Sequence, residues 1–380
     1  MAQVKPPFET FARIKVVGVG GGGNKAIQRM MASHIHGVEF VAINLDAQDL
    51  NVANAPTKIL IGKNITRGLG AGMNPEIGQK AAQENKDEIS EALKGSDMVF
   101  ITAGLGGGTG TGAAPVIAEI ARDLGALTIG VVTKPFSFEG MARMRIAEEG
   151  WALFREKVDA LITISNDRLL SIIDRKTPLM EAFHKVDDVL HQGVQGISDL
   201  ITVPGIINVD FADVRTIMQN SGSALMGIGT ASGEDRAIDA AKAAINSPLL
   251  DISIDGARGV LFNVSGGPDL AMAEISEAAK VITASIDPNA KVIFGAVQDD
   301  TLKKGEIKVT VIAAGFTAPK AASQQSSSAT FFGTPAPGNG SIMNRRDEQI
   351  IPEKPIPEVV DTNIEEDEFE IPAFIRRKMK

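Results

Sequence analysis

Two glycine clusters are the residues of this chain whose type and spacing point most directly to chemistry. Of the 39 glycines in 380 residues, many stand in two runs, RIKVVGVGGGGNKA at 13–26 and AGLGGGTGTGAAP at 103–115. Each run follows a short β-branched segment and leads into a helical pattern. Each therefore predicts a strand-to-helix turn whose backbone N–H groups and helix dipole point at an anion. Two such turns at one edge of a sheet predict a polyphosphate ligand.

The first turn also matches a different kind of site. Gly18, Gly20 and Gly23 fit the dinucleotide fingerprint. Asn44 and Asp46 follow the second strand where a ribose-binding acid would stand, so an NAD(P)-dependent oxidoreductase is the alternative. That alternative leaves the second turn unexplained and finds no convincing proton donor in the chain. Tight turns and helix packing are the purely structural interpretation of the glycines.

Two pairs of side chains have spacings that suit either a nucleotide site or ordinary packing. Phe183 and Asp187 are four residues apart on a predicted helix and share one face, and the simpler interpretation is a core phenylalanine beside a solvated aspartate. Asp210 and Asp213 have the spacing of a helix N-cap and an acidic residue in the first turn, which is a structural device. Spacing alone leaves both interpretations open for each pair.

The elements that position these residues alternate between short strands and longer helices, which predicts an α/β fold with a Rossmann-like parallel sheet. Strands are predicted at 14–19, 38–43, 98–102, 127–132 and 160–164, with helices at 24–33, 75–93, 112–124 and 141–157. A long helix over 178–200 leads to a smaller α+β domain. There, strands are predicted at 224–230, 259–264, 291–296 and 307–313, with helices at 234–244 and 270–285.

Composition limits the classes of function. The 38 basic and 47 acidic residues give a net charge of −9, which argues against a nucleic-acid partner. The absence of cysteine excludes disulfides, zinc-thiolate sites and thiol nucleophiles, and a reducing, cytoplasmic location is expected. No segment reaches the ~18 apolar residues of a membrane-spanning helix, so direct membrane insertion is not expected.

The last residues of the sequence differ from the rest in composition and charge pattern. Residues 317–366 are rich in Ser, Pro, Ala, Gln and Asn without periodicity, which predicts a disordered linker. Residues 361–370 carry acids and no base, residues 371–380 carry bases and no acid, and the apolar IPAFI lies at the junction. Residues 367–380 are therefore predicted to form a partner-docking peptide, with an inert solubilising tail as the alternative.

Several ordered motifs resemble the FtsZ family of tubulin-type GTPases. They are GGGTGTG (106–112), TRGLGAGMNPEIG (66–78), VVTKPFSFEG (131–140), NDRLL (166–170), QGVQGISDLI (192–201), INVDFADV (207–214), GSALMGIG (222–229) and IPAFIRR (371–377). The resemblance covers about residues 13–316 and the terminal peptide. It implies a flexible segment at 1–12, a GTP-binding domain at 13–177, a central connecting helix at 178–203 and an α+β GTPase-activating domain at 204–316.

The resemblance also implies the GTP-binding residues. Phosphate contacts fall on Gly20, Gly21, Gly22, Gly23, Asn24, Ala71, Gly72, Met73, Gly106, Gly107, Gly108, Thr109, Gly110, Thr111 and Gly112. Contacts to the ribose and the neighbouring phosphate fall on Thr133, Pro135, Glu139 and Arg143. Asn44 is a further expected GTP-binding residue. Base contacts fall on Asn166, Phe183 and Asp187. A carboxylate accepts both the N1–H and N2–H donors of guanine, which adenine does not offer, and this implies GTP over ATP.

The implied mechanism depends on assembly. Asn208, Asp210 and Asp213 would enter the nucleotide pocket of the next subunit in a head-to-tail filament, where the two carboxylates orient the water that attacks the γ-phosphate. The implied cofactors are GTP/GDP and Mg²⁺, with Mg²⁺ held by phosphates and water. Lys25 stands where the family usually has Asn, and both phosphate attraction and altered loop dynamics are open as its effect.

The implied partners place the chain in bacterial cell division. They are the chain itself, in the ring at mid-cell, and membrane-tethering division proteins such as FtsA or ZipA. These proteins would bind the terminal peptide through Ile371, Pro372, Ala373, Phe374, Ile375, Arg376 and Arg377.

Overall fold

A computed structural model describes residues 12–33, 35, 37–170, 177–203, 205–207, 209–247, 254, 256–299 and 302–316. The predicted linker and docking peptide, and the N-terminal segment up to residue 11, lie outside these residues. Within the described residues, no helix combines the length and the apolar character needed to cross a membrane.

Ten strands form a single sheet in the described part of the chain. They are β1 (Ile14–Val19), β2 (Val38–Asn44), β3 (Thr57–Leu60), β4 (Met98–Gly104), β5 (Leu127–Lys134), β6 (Ala160–Ser165), β7 (Gly222–Ser232), β8 (Gly259–Gly266), β9 (Lys291–Gln298) and β10 (Glu306–Ala314). Their order across the sheet is β3-β2-β1-β4-β5-β6-β7-β10-β8-β9. Pairing is parallel from β3 to β7, antiparallel on both sides of β10, and parallel between β8 and β9. The predicted α/β class with a mostly parallel sheet is confirmed.

The helices cover both faces of this sheet. They are α1 (Gly20–Ala32), α2 (Ala47–Val52), α3 (Lys63–Thr66), α4 (Pro75–Glu84), α5 (Lys86–Leu93), α6 (Thr109–Asp123), α7 (Met141–Lys157), α8 (Asn166–Leu170), α9 (Leu179–Thr202), α10 (Phe211–Met218), α11 (Arg236–Ile245) and α12 (Met272–Thr283). Met98 and Phe100 of β4 belong to one buried cluster, and the alternating Val99 and Ile101 belong to another. Helix α9 adds Val194 and its apolar neighbours to the first cluster. The continuous apolar run of β4 reflects burial on both faces.

The strand order places an opening beside β1. The chain moves from β1 to β2 and β3 on one side and then crosses to β4 on the other side. At such a switch point, the two connections leave the carboxyl ends of neighbouring strands in opposite directions, so a crevice opens between them. The two glycine turns follow these two strands.

Three sequence predictions need correction. The helix predicted over 75–93 is two helices, because Asn85 (φ −105°, ψ 25°) leaves helical geometry and accepts a hydrogen bond from Gly62 N at 2.9 Å. Helices α1 and α6 begin at Gly20 and Thr109, before the predicted residues 24 and 112, so glycines form their first turns. The short elements β3, α2, α3 and α8 were missed because they contain too few residues to show a period.

Candidate functional site

The two glycine turns lie side by side at the carboxyl ends of β1 and β4, which are hydrogen-bonded neighbours. A Cβ atom placed on Gly20 would stand 3.1 Å from the backbone N of Gly110, and one placed on Gly22 would stand 3.4 Å from the N of Gly104. The turns approach closely because these residues have no side chains. The expected placement of both turns at one sheet edge is therefore confirmed.

The first turns of α1 and α6 have the properties of an anion site. Neither contains an acidic residue. Gly20 and Gly106 have φ angles of +71° and +96°, which glycine adopts without strain. The backbone N of Gly106 donates to Thr111 Oγ1 at 2.9 Å, which fixes the turn before α6. Two helix N-termini with unpaired backbone N–H groups favour a ligand with more than one phosphate.

A third loop, residues 66–74, packs against the second glycine turn. A Cβ on Gly108 would stand 2.6 Å from the Cβ of Ala71. Next to this contact, Gly72 and Gly107 have no atom within 4 Å of the Cβ position, so both border open space. Met73 has a φ of +63°, a conformation that a residue with a side chain adopts only when its surroundings hold it there. The three predicted contact residues of this loop thus stand beside the second glycine turn.

Residues at the end of β5 border the same turn. The Cβ position of Gly104 is 3.6 Å from Thr133 Oγ1, and that of Gly106 is 3.4 Å from Pro135 Cγ. Thr133 is buried. These contacts bring both predicted ribose-side residues to the rim of the phosphate turns.

Glu139 and Arg143 form a pair above the turn. Arg143 Nη1 lies 2.9 Å from Glu139 Oε2, and the other oxygen of Glu139 accepts from Phe136 N at 2.9 Å. The Cβ position of Gly106 is 2.8 Å from Arg143 Cγ, so the arginine stem packs directly over the turn. Arg143 Nε is buried and has no hydrogen-bond partner within the described chain. The arginine therefore has donor capacity left for a ligand.

An aromatic wall and a buried carboxylate lie at the start of α9. Phe183 packs edge-on against Phe136 at 5.6 Å between ring centroids, and Phe136 stacks on Phe138 at 4.9 Å. Phe183 keeps 40% of its surface exposed, so one side remains open to a planar ligand. One turn along α9, burial raises the pKa of Asp187 to about 6. The simple interpretation of a core phenylalanine and a solvated aspartate does not fit this exposure and burial.

Charges on α1 and α9 act on this carboxylate. Arg29 Nε pairs with Asp188 Oδ1 at 3.0 Å, and Arg29 Nη1 lies 3.4 Å from His184 Nδ1. After burial, which raises the pKa of Asp187, the positive charges of His184, Arg29 and Lys25 lower it, and Asp188 raises it. The Asp187 carboxylate is thus poised between protonation and ionisation close to the physiological range.

Two buried amide side chains mark the site as incomplete without a ligand. Asn24 is 3% exposed, and neither its amide O nor its amide N has a partner in the described chain. Asn166, at the start of α8, is buried with its Oδ1 unpaired. Buried polar groups are nearly always hydrogen-bonded. Unpaired amides beside an anion cradle, an aromatic face and a carboxylate fit a nucleotide.

Asn44, expected to contact the nucleotide, also has partners within the chain. Its Oδ1 accepts from the backbone N of Leu45 and Asp46 at 2.8 and 3.2 Å, and its Nδ2 donates to Asp49 Oδ2 at 2.9 Å. The side chain is held within the protein and orders the turn after β2. Sequence analysis missed Asp49, whose Oδ2 lies 3.0 Å from the Cβ position of Gly21. The signal was the acidic first turn of a helix capped by Asp46.

Asp210 and Asp213 lie at the opposite edge of the sheet. Asp210 Oδ1 accepts from Asp213 N at 2.8 Å, so the predicted N-cap of α10 is confirmed. Arg215 of the same helix donates to the O of Gly125, just before β5, at 3.2 Å. Because the glycine turns follow the carboxyl ends of the strands, roughly 20 Å of β5 separates them from α10. Both carboxylates are exposed, and Asn208 lies outside the described residues.

The remaining predictions concern a metal and the tail. Among the residues with described positions, no group of three His, Asp or Glu side chains could hold a metal ion. The docking residues 371–377 are outside the described part of the chain.

Two family models match the chain. The model of the GTPase domain of the tubulin/FtsZ family matches residues 13–174, and the model of the C-terminal domain of the FtsZ family matches residues 222–317. The first model covers both glycine turns and the residues from β5 to α7 that border them. The matches give no support to the oxidoreductase alternative.

Solved structures agree with these models. An empty FtsZ dimer from M. jannaschii has 50% sequence identity and a TM-score of 0.77, over 80% of this chain and 89% of that one. A point mutant of FtsZ from M. jannaschii has 49% identity and a TM-score of 0.78, over 81% and 92%. A GTPγS-bound protofilament of CetZ2 from Haloferax volcanii shares the fold at 22% identity, with a TM-score of 0.68 over 79% of this chain and 92% of that one.

Proposed function

This chain belongs to the tubulin/FtsZ family and is a GTPase of the FtsZ type, and on that premise we propose that it hydrolyses GTP at the contact between subunits of a head-to-tail filament. The proposal is carried by one observation, the distance between the expected phosphate-binding turns and the expected catalytic carboxylates. The phosphate turns lie at one edge of the sheet, and the exposed carboxylates of Asp210 and Asp213 lie at the other.

Base recognition begins at α9. The ionised Asp187 carboxylate accepts the N1–H and N2–H donors of guanine, and the open face of Phe183 covers the ring. Asn166, whose buried Oδ1 has no partner in the described chain, supplies a further acceptor for the base. Adenine presents no matching pair of donors to the carboxylate, and this accounts for the choice of GTP.

Phosphate binding uses the backbone of three loops. The N–H groups at the starts of α1 and α6 bind the phosphate oxygens, and the loop around Gly72 closes over the terminal phosphate. Arg143, with its unpaired Nε, adds a cationic donor near the ribose end. Mg²⁺ would be held mainly by the phosphates and by water rather than by side chains, and it would supply positive charge against that of the phosphates.

Hydrolysis needs groups that one chain cannot bring to its own nucleotide. When a second subunit stacks on the first, the edge of the second subunit that carries α10 meets the edge of the first that carries the glycine turns. Such a contact is heterologous, so it can be repeated along a filament. Asp210 and Asp213, with Asn208 before them, then orient the water for attack on the γ-phosphate. Loss of the γ-phosphate weakens the contact, so filaments turn over.

The cellular role follows from the family. The filament forms the division ring at mid-cell in the cytoplasm. The chain reaches the membrane through its terminal peptide, residues 371–377, which binds membrane-tethering division proteins such as FtsA or ZipA. The apolar core and flanking charges of that peptide support a docking role.

The test measures phosphate release from GTP with Mg²⁺ over a series of protein concentrations, with light scattering on the same samples and ATP as a control nucleotide. We expect turnover per molecule to be near zero below a threshold concentration and to rise with scattering above it. Asp210→Asn and Asp213→Asn should lose hydrolysis and keep GTP binding and assembly. Asparagine caps a helix as well as aspartate does, so Asp210→Asn removes charge and keeps the α10 cap.

The matched control is Asp239→Asn, which removes an exposed carboxylate from the first turn of α11 and should leave turnover unchanged. Turnover per molecule that is independent of protein concentration would contradict the shared site, and equal use of ATP would contradict the assignment of Asp187 to the base. Loss of GTP binding in the α10 variants would show that these aspartates act only on structure.

A further inference from the structure

Arg215 is a cation beside the two carboxylates of α10 that the proposed mechanism leaves without a role. It is half-buried and follows Asp213 by two residues. Its Nη2 donates to the backbone O of Gly125 at 3.2 Å, outside its own helix. Gly125 lies between the end of α6 and the start of β5. The contact therefore joins a short helix to a fixed part of the sheet.

The apolar contacts of α10 do not by themselves fix its orientation. Val214, Ile217 and Met218 are buried in one core cluster, and the helix packs on β5, β8 and β9. Hydrophobic burial is not directional. A single apolar stripe on a helix of 8 residues therefore holds the helix against the sheet but resists rotation about its axis only weakly. The hydrogen bond of Arg215 is directional and can supply that resistance.

The guanidinium of Arg215 is held in place by an aromatic ring. Its central carbon lies 5.1 Å from the ring centroid of Phe211, the first residue of α10, and Phe211 packs against the same core cluster. Because a cation is attracted to the face of an aromatic ring, the ring restricts the directions in which the arginine can point. The hydrogen bond to Gly125 is thereby connected to the first turn of α10.

The two carboxylates belong to that first turn. Asp210 Oδ1 accepts from Asp213 N at 2.8 Å, so both residues move with the start of the helix. Successive residues of a helix are about 100° apart, so Asp213 lies about 160° around the axis from Arg215. Asp213 is exposed. A rotation of α10 that breaks the contact of Arg215 would therefore displace the exposed carboxylate sideways.

The chain before and after α10 is held by other groups. Before the helix, Ile206 N and Ile207 N donate to the O of Ala296 in β9 at 2.8 and 3.2 Å. Beyond its last turn, Arg122 of α6 donates to Asn220 Oδ1 at 3.1 Å. Arg215 lies between these two contacts and joins the body of the helix to the part of the chain that matches the GTPase domain.

We propose that Arg215 is a positioning residue for GTP hydrolysis, whose hydrogen bond to Gly125 fixes the rotation of α10 and thereby the place where Asp210 and Asp213 meet the nucleotide of the next subunit. The proposal rests on the proposed function, in which these carboxylates act between subunits. A misplacement of about 1 Å can cost about 100-fold in rate, so a loosened α10 should lower turnover. It should leave GDP binding by the same chain unchanged.

The test separates the subunit that supplies α10 from the subunit that supplies the pocket. Asp213→Asn keeps the pocket and loses a carboxylate of α10. Gly107→Glu keeps α10 and adds a charged side chain where no atom lies within 4 Å of the Cβ position, beside the phosphate turns. In an equimolar mixture above the assembly threshold, about one contact in four joins an intact pocket to an intact α10, and phosphate release from GTP should return there.

Arg215→Met is then added to one component at a time, because methionine keeps an apolar stem and removes the donor. In the Gly107→Glu component, which supplies the working α10, it should lower the recovered turnover by about tenfold. In the Asp213→Asn component, whose α10 is already inactive, it should leave the recovered turnover unchanged. Arg215→Lys in the Gly107→Glu component should keep most of the turnover, because an ammonium group can also donate to the Gly125 carbonyl.

The matched control is Thr216→Ala in the Gly107→Glu component. Thr216 is the next residue of α10 and is exposed, and its hydroxyl donates to the O of Ala212 within the same helix at 2.8 Å. Its loss should leave the recovered turnover unchanged. Fluorescence of the single tryptophan, Trp151, checks that each variant is folded, and light scattering checks that each mixture assembles.

Two results would overturn the proposal. An equal loss of turnover with Arg215→Met in either component would mean that the arginine supports folding or assembly and does not position α10. No loss in either component would mean that α10 needs no such contact. If the mixture of Asp213→Asn and Gly107→Glu without any change at Arg215 recovers no hydrolysis, the shared site itself is refuted, and the role of Arg215 is refuted with it.

Discussion

At the scale of single residues, the site contains buried polar atoms without hydrogen-bond partners and a carboxylate whose ionisation is disfavoured by burial. Asn24 and Asn166 are buried with unpaired atoms, and burial raises the pKa of Asp187 to about 6. Unpaired buried groups cost stability, so they indicate a ligand that completes their hydrogen bonds. Guanine supplies donors that match the carboxylate.

Replacing this carboxylate by an amide should change which base is bound. In Asp187→Asn, the amide O accepts from N1–H, but the amide N meets the N2 amino group of guanine donor to donor. We expect GTP affinity to fall by about 100-fold, which corresponds to one charge-assisted hydrogen bond lost and one weakened to a neutral bond. Xanthosine triphosphate, which has a carbonyl at C2, should bind better than GTP to this variant. Competition between the two nucleotides measures the preference.

The control for this change is the neighbouring carboxylate. Asp188→Asn weakens the pair with Arg29 at 3.0 Å and leaves the base contact in place, so it should keep the preference for GTP. Equal binding of both nucleotides by Asp187→Asn would contradict the assignment of this residue to the base.

The family resemblance implies which residues contact the nucleotide, but their environments could not be predicted from the sequence. It points to Phe183 and Asp187, whereas spacing on a helix does not reveal which face is buried. Asn44 is an example. The resemblance implies that it contacts the nucleotide, but the sequence does not reveal that its side chain also binds two backbone donors and Asp49. The position of Asp49 depends on α2, a helix too short to show a hydrophobic period in the sequence.

At the scale of elements, the phosphate cradle depends on helices packed backbone to backbone. A Cβ on Gly112 of α6 would stand 1.9 Å from the O of Pro75 and 2.8 Å from the N of Gln79. A Cβ on Gly78 of α4 would stand 2.3 Å from the O of Gly108. These contacts hold the third loop against the second glycine turn, so the glycines act on the site through helix packing.

Gly112→Ala should therefore destabilise the protein although alanine favours helices. The methyl group must push α4 away from α6, at a cost of about 1–3 kcal/mol, and GDP affinity should fall because the cradle widens. Urea unfolding followed by Trp151 fluorescence measures the stability. Gly107→Ala is the control, because no atom lies within 4 Å of its Cβ position, and its unfolding midpoint without nucleotide should match wild type. A stabilised Gly112→Ala protein would show that helix propensity outweighs the packing.

The longer elements were predictable because their patterns extend over several turns. The helix predicted at 141–157 matches α7, and the long amphipathic stretch matches α9 apart from its ends. The break at Asn85 was not predictable, since it depends on a hydrogen bond from Gly62, far away in sequence. Local pattern predicts where helices lie, and tertiary contacts decide where they end.

At the scale of the whole molecule, the parallel sheet separates the two glycine turns from helix α10, which begins with Asp210 and Asp213. Parallel strands bring all their carboxyl ends to one edge, so turns that follow β1 and β4 share that edge. Helix α10 is held at the other edge through Arg215 and Gly125. In the proposed function, a repeated stack of chains brings the two together at every contact.

If the glycine turns and α10 act together only between subunits, a mixture of two inactive variants should recover GTP hydrolysis. Asp213→Asn keeps the pocket and loses a carboxylate of α10. Gly107→Glu keeps α10, and its side chain extends from an open position into the phosphate cradle, where its charge repels the nucleotide. Each alone should hydrolyse GTP at a small fraction of the wild-type rate. In an equimolar mixture, about one contact in four pairs an intact pocket with an intact α10, so about a quarter of the wild-type turnover should return.

Phosphate release from the mixture, above the assembly threshold, measures this recovery. Nucleotide binding must first be shown to be absent in Gly107→Glu and present in Asp213→Asn, with wild-type unfolding midpoints in both. A mixture of Gly107→Glu with Asp239→Asn controls for dilution, since Asp239→Asn has a complete site of its own. If the first mixture stays at the summed rates of its components while this second one is active, each chain completes its own site and the stacked arrangement is wrong.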